Sequence, residues 1–146
     1  MHELSTILLV EDNEDDADLI LYAFNKAGIE NPVTRVVHGD AAVDYIEGTG
    51  AFADRTHHPL PALILLDLKL PRRSGLEVLK VIRDDEVAKH TPVVILTSSD
   101  QDSDIKRAYE LSANAYLVKP VSREALLAMV QTLEAFWIKL NRVVAT

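Results

Sequence analysis

Four short apolar runs in this 146-residue chain each end in a residue able to do chemistry. LILL at 63–66 delivers one carboxylate, Asp67; ILLV at 7–10 runs into Glu11 and Asp12; VVILT at 93–97 closes on the Thr97 hydroxyl; and AYLV at 115–118 leads to the Lys119 ammonium, with Pro120 behind it. Runs of this length without alternation are what strands buried on both faces look like. An ionised group at the end of such a strand is costly to bury unless it is paired or put to use. If the four strands lie parallel and adjacent, their carboxyl ends gather three acids, a hydroxyl and an ammonium at one edge of a sheet. Carboxylate oxygens suit a hard divalent cation, and a carboxylate nucleophile flanked by a cation and an ammonium is equipped for phosphoryl transfer.

The elements that position these groups alternate. Residues 13–28 carry Ala17, Ile20, Leu21 and Phe24 at helical spacing, with acids in the first turn and Gly28 at the close. Residues 33–38 read as a short strand, 40–48 as a helix through Ala42, Val43 and Ile46, and GTGAFADRTHHPLPA as a loop by its Gly, Pro and His content. Behind Asp67 the turn LPRRSG leads into a helix holding Leu76, Leu79 and Ile82. A helix over about 102–112 separates the strands at 93–97 and 115–118, and the last helix starts near Ser122 and reaches past Trp137. Five strands alternating with five helices, the strands apolar throughout, predict an α/β fold whose parallel sheet is covered on both faces. Ligands of such sheets bind outside the carboxyl ends of the strands, where strand order reverses. The acids stand at that place.

The length suits one domain with an ordinary core. The absence of cysteine excludes disulfides, thiolate zinc sites and cysteine nucleophiles. A formal net charge of -8 argues against nucleic acid and anionic lipid, both polyanions, and for a protein partner. No apolar run approaches the roughly 20 residues of a membrane helix, and no basic-then-apolar leader opens the chain. The expectation is a cytoplasmic protein without nucleic-acid or membrane contacts. His57 and His58, adjacent and without spaced partners, read as loop residues rather than metal ligands. Arg72 and Arg73 read as solvated charges beside the site.

With the residues so placed, the chain resembles the receiver domain of two-component response regulators from about Ser5 to the last helix. The resemblance rests on the acid pair Glu11 and Asp12, Asp67 before LKLP, Thr97 after a strand, Tyr116, and Lys119 before Pro120, all in order. It implies a doubly wound, flavodoxin-like sheet of order 2-1-3-4-5 flanked by five helices, with residues 1–146 forming one receiver and no separate output domain. Asp67 is then the phosphoacceptor, taking its phosphoryl group from a sensor histidine kinase. Mg2+ is the implied cofactor, held by Asp12 and Asp67, by Glu11 through water, and by the backbone carbonyl of Lys69. Three carboxylates against Mg2+ and Lys119 leave the resting site about neutral, so incoming phosphoryl charge falls to Lys119 and the Thr97 hydroxyl. Thr97 and Tyr116 are the implied switch, moving together to repack the face of helix 4, strand 5 and helix 5. The Lys119–Pro120 bond is expected to be cis, since X-Pro is the one common cis linkage.

Rival readings of the same fold fail at named residues. A flavodoxin-like cofactor binder needs a hydroxyl-rich phosphate loop after the first strand, where this chain has VEDNEDD. A phosphatase of the haloacid dehalogenase type wants a second acid two residues past the nucleophile, where this chain has Lys69. A phosphorelay intermediate, passing its phosphoryl group to a histidine phosphotransfer protein, stays open beside the terminal regulator. On the last helix Leu126, Val130, Leu133 and Trp137 form a core-facing stripe, while Phe136, Leu140, Val143 and Val144 add apolar surface. That surplus points to a homodimer through helix 4, strand 5 and helix 5. The long loop before the third strand and the LPRRSG turn are similar to those of the small regulators that partner bacterial and cyanobacterial phytochrome kinases.

Overall fold

A computed structural model describes residues 5–141, apart from the side chain of Leu140. In chain order the elements are β1 (Ile7–Val10), α1 (Glu14–Lys26), β2 (Val33–Val36), α2 (Gly39–Glu47), β3 (Leu63–Leu66), α3 (Gly75–Asp84), β4 (Val93–Thr97), α4 (Asp102–Glu110), β5 (Ala115–Val118) and α5 (Arg123–Leu133). The strands form one parallel sheet of order β2-β1-β3-β4-β5. The expected architecture and strand order are therefore observed.

Two-residue periodicity divides each central strand between two cores. Leu8 and Val10 of β1 join Ile64 and Leu66 of β3 beneath α2 and α3, whereas Ile7, Leu9, Leu63 and Leu65 face α1 and α5. β1, β3 and β4 are buried throughout; β5, at the sheet edge, is half-buried along its length. With both faces covered, the chemistry is left to the ends of the strands.

The helices start where their caps dictate. Asn13 accepts a hydrogen bond from the Asp16 amide at 2.9 Å and opens α1. Ser74 and Glu77 form a reciprocal capping box on α3. His38 caps α2 through Nδ1, which accepts from the Ala41 amide at 3.0 Å. Gly48 closes α2 at φ 70°, the left-handed region that favours glycine. The loop that follows contains a single 3-10 turn, Gly50–Phe52. Arg55 then folds back to donate to the carbonyls of Tyr45 at 2.7 Å and Ile46 at 2.6 Å, placing a cation on the end of α2 where the helix dipole favours one.

Two expectations need correction. Among the described residues no peptide bond is cis, so Lys119–Pro120 is trans; trans is the intrinsically preferred isomer even before proline. The last helix does run past Trp137, but not as one α-helix. After Leu133 it widens into a π-helical segment, Glu134–Leu140, closed by the Asn141 amide donating to the Phe136 carbonyl five residues back at 2.7 Å. Glu134 and Lys139 pair across that wider turn at 3.1 Å.

Gly75 shows how tightly the acceptor loop is seated. A Cβ there would lie 2.3 Å from the Asp67 carbonyl oxygen and 2.6 Å from Leu68 Cα, both backbone atoms that cannot swing aside. Gly75→Ala is expected to cost about 1–3 kcal/mol as overpacking does, read as a lower urea midpoint.

Candidate functional site

Register places the site. Val10 pairs with Leu66 and the Asp67 amide donates to the Val10 carbonyl at 3.0 Å, so Glu11 and Asp67 emerge level from adjacent strands. This is the point where strand order reverses, with β2 on one side of β1 and β3 on the other. On the far side of β3, Thr97 ends β4, and the Lys119 amide donates to the Thr97 carbonyl at 2.7 Å as the chain leaves β5.

The side chains converge on the Lys119 ammonium. Its side chain is 7% exposed, and Nζ lies 2.7 Å from Glu11 Oε1, 2.8 Å from Asp16 Oδ2 and 3.0 Å from Asp67 Oδ2. Asp67 Oδ1 accepts from the Lys69 amide at 3.1 Å, and the Thr97 hydroxyl stands close enough to the carboxylate to favour its ionised form. Glu11 Oε2 accepts from the Asn13 amide at 3.1 Å. One oxygen each from Glu11, Asp12 and Asp67 lie within 4.8 Å of one another, a donor set and spacing that fit a hard divalent cation. Glu11 and Asp67 are buried while Asp12 faces solvent, so the cluster opens on one side only.

Shared surroundings drive the two buried acids apart. Burial raises Glu11 to about 7; Lys119 opposes that through a hydrogen bond and its charge, and the neighbouring Asp67 adds to it. Burial also acts against an ionised Asp67, but the Thr97 hydroxyl, the Lys119 charge and the Lys69 amide outweigh it and hold its pKa below the ordinary value. Burial likewise disfavours the Lys119 cation, yet hydrogen bonds to Asp16 and Glu11 and the charge of Asp67 carry it above its ordinary value. Asp67 is thus kept as the carboxylate and Lys119 as the ammonium, the forms a nucleophile and a charge acceptor require.

A family model described as the response regulator receiver domain matches residues 7–131. The chain belongs to the receiver domain family of response regulators. Among curated proteins, this receiver is 42% identical over 139 residues to the probable methanogenesis regulatory protein FilR2 of Methanothrix harundinacea, covering 93% of this chain and 85% of that one. Among solved structures it superposes on the phosphorylated cyanobacterial phytochrome response regulator RcpA with a TM-score of 0.91, at 35% identity and over 97% and 99% of the two chains. The Mn2+-bound form of response regulator Rcp1, a protein of Synechocystis, gives 0.90 at 36% identity over the same shares. The receiver is closely related to the cyanobacterial phytochrome response regulators. Like the rest of its family it is a phosphoacceptor switch, not an enzyme that turns over a substrate.

The structure brings Glu11, Asp12, Asp67, Thr97 and Lys119 together at one edge of the sheet. Tyr116 lies farther along β5, its hydroxyl donating to the Ser99 carbonyl at 2.9 Å. The two histidines stay out of the site: His57 pairs with Asp54 at 2.7 Å, and His58 stacks edge-on with Tyr45 and Phe52. Arg73 reaches Asp40 on α2, and Arg72 is exposed. Sequence reading passed over Asp16, grouped with the first-turn acids of its helix. The one available signal was its place three residues after the Asn13 cap, in the first turn of the helix that follows the acid pair.

Glu11 gives a pH dependence of defined sign. Its folded pKa of about 7 exceeds the ordinary 4.5, so between those values the folded receiver binds more protons than the unfolded chain, and this residue's contribution to stability falls as pH rises. In the metal-free protein Glu11→Gln is expected to match the parent near pH 4.5 and to gain stability over it up to pH 7, followed by urea denaturation. If a divalent cation fills the cluster it competes with the same proton, so divalent-cation affinity of the parent is expected to rise over pH 6–8 and to flatten in the variant, measured by calorimetry.

Proposed function

We propose that this receiver accepts a phosphoryl group from the phosphohistidine of a sensor histidine kinase of the phytochrome type, on Asp67. The observation that carries the reading is a buried Asp67 carboxylate kept ionised between the Lys119 ammonium and the Thr97 hydroxyl, beside an oxygen cluster sized for a cation. An Asp67 oxygen attacks phosphorus; the P–N bond breaks, and its electron pair leaves with the imidazole, which takes up a proton. Asp12, Asp67 and the Lys69 carbonyl, with Glu11 through water, would hold Mg2+, which when bound would supply electrostatic stabilisation for the phosphoryl oxygens. Lys119 supplies the second positive charge and Thr97 a hydrogen bond.

Signalling follows from Thr97 serving two masters. Drawn toward a phosphoryl oxygen, Thr97 vacates space beside β5, and in our reading Tyr116 gives up its hydrogen bond to the Ser99 carbonyl and rotates inward to fill it. The repacked surface is that of α4, β5 and α5, and we assign it to a homodimer. Exposed apolar residues of these elements and their flanks support the assignment: Tyr109 on α4 is half exposed, Val121 before α5 is fully exposed, and Phe136 in the segment after α5 is half exposed. Of the other residues invoked for a dimer, Val143 and Val144 lie outside the described residues, as does the side chain of Leu140. Among the described residues no helix is long and apolar enough to cross a membrane, and we place the receiver in the cytoplasm with its kinase. A relay role, handing the phosphoryl group to a histidine phosphotransfer protein, uses the same site chemistry and differs only in the next acceptor.

Incubation with acetyl phosphate and Mg2+ is expected to add one phosphoryl mass to the intact protein, lost in Asp67→Asn and with EDTA. A label that survives Asp67→Asn would remove Asp67 from the role. Sedimentation at micromolar concentration should give a dimer; a monomer both with and without phosphorylation would rule out the assembly.

A further inference from the structure

The Lys119 ammonium has three N–H donors and three carboxylate oxygens around it, those of Glu11 at 2.7 Å, Asp16 at 2.8 Å and Asp67 at 3.0 Å. Two of the three have other work. Glu11 and Asp67 belong with Asp12 to the cluster that fits a cation, and Asp67 is also the proposed acceptor. Asp16 belongs to neither group. Its backbone is fixed in the first turn of α1, where its amide donates to the Asn13 side chain at 2.9 Å. Its carboxylate is 28% exposed and hydrogen-bonded to Lys119, whose side chain is almost wholly buried, so the pair is screened less than a surface ion pair.

We propose that Asp16 is a positioning residue for phosphoryl transfer, tethering the Lys119 ammonium beside Asp67 while its other carboxylate partners are drawn into cation binding and covalent chemistry. This rests on Asp67 being the acceptor, as argued above. Lysine is a flexible chain whose orientation is set by its partners. When Asp67 becomes an acyl phosphate, and Glu11 turns to the cation, the two contacts they give are altered together. Asp16 keeps one N–H occupied on the α1 side and leaves the others to follow the phosphoryl oxygens.

The charge arithmetic makes the proposal testable. Including Asp16, the site holds four carboxylates against one ammonium, three of them in contact with it. Asp16→Asn removes a negative charge from a site that must receive an anion, so charge alone would speed phosphorylation. Positioning demands the opposite.

The test uses the full chain, its Asp16→Asn and Asp16→Ala variants, and acetyl phosphate as donor. In that reaction an Asp67 oxygen bonds to phosphorus while the P–O bond to acetate breaks and acetate leaves with the electron pair. Initial rates from intact mass, taken at saturating Mg2+, are expected to fall about 10-fold in both variants, with Mg2+ affinity and thermal midpoint unchanged. Rates equal to or above the parent would overturn the proposal. A loss that further Mg2+ restores would also overturn it, making Asp16 part of the cation site. If the parent itself takes no label on Asp67, the acceptor reading fails first and this inference with it.

Discussion

Lys119 meets carboxylates from three separate elements, and that contact ties the carboxyl edge of the sheet together. Two carboxylates about 4 Å apart repel by about 4 kcal/mol at the effective permittivity of a protein edge. Four of them beside one another are tolerable only with cation charge among them. Lys119 supplies that charge from within the chain, which is why burial, although it disfavours the ammonium, fails to neutralise it. The same balance leaves Glu11 on the edge of protonation near pH 7 and Asp67 firmly ionised. One residue thus sets the resting state of the site and the charge available to a phosphoryl group.

The fold exists to hold that contact in register. The central strands β1 and β3 are apolar throughout, and β4 up to Thr97 at its end, because α1 and α5 cover one face of the sheet while α2 and α3 cover the other. Polar groups are thereby pushed to the strand ends, and the parallel arrangement brings all of those ends to the same edge. Small residues and caps complete the placement. Gly75 lets α3 begin directly beneath the Asp67–Leu68 backbone, and Asn13 starts α1 so that Asp16 faces Lys119.

Outward from the site the structure becomes less committed. β5 is a half-buried edge strand, and among the described core residues α4 contributes only Ala108. The terminal segment winds more widely than an α-helix and leaves Phe136 half exposed. Elements with few buried contacts are the ones whose packing changes at small cost. The margin at α4, β5 and the terminal segment is thus held more loosely than the interior of the sheet.

Much of this was legible in the residue string. Continuous apolar runs identified the strands, because a segment buried on both faces has no place for polar residues; their terminal acids, hydroxyl and ammonium marked the edge where chemistry collects. Residue order alone supported the receiver family and its strand order. Element ends were less legible, as with a second strand that stops at Val36, since hydrogen bonding rather than side-chain type decides where a ladder ends. The trans Lys119–Pro120 bond and the wider turn after Leu133 were also beyond the residue pattern, for both depend on backbone geometry. The role of Asp16 was hidden for a different reason. An acid in the first turn of a helix satisfies the helix dipole whether or not it touches anything else. The sequence by itself determined which groups would stand at the sheet edge; only the tertiary structure decided that Asp16 and Lys119, 103 residues apart, meet there, because that pairing depends on how α1 and β5 are brought to the same end of the sheet.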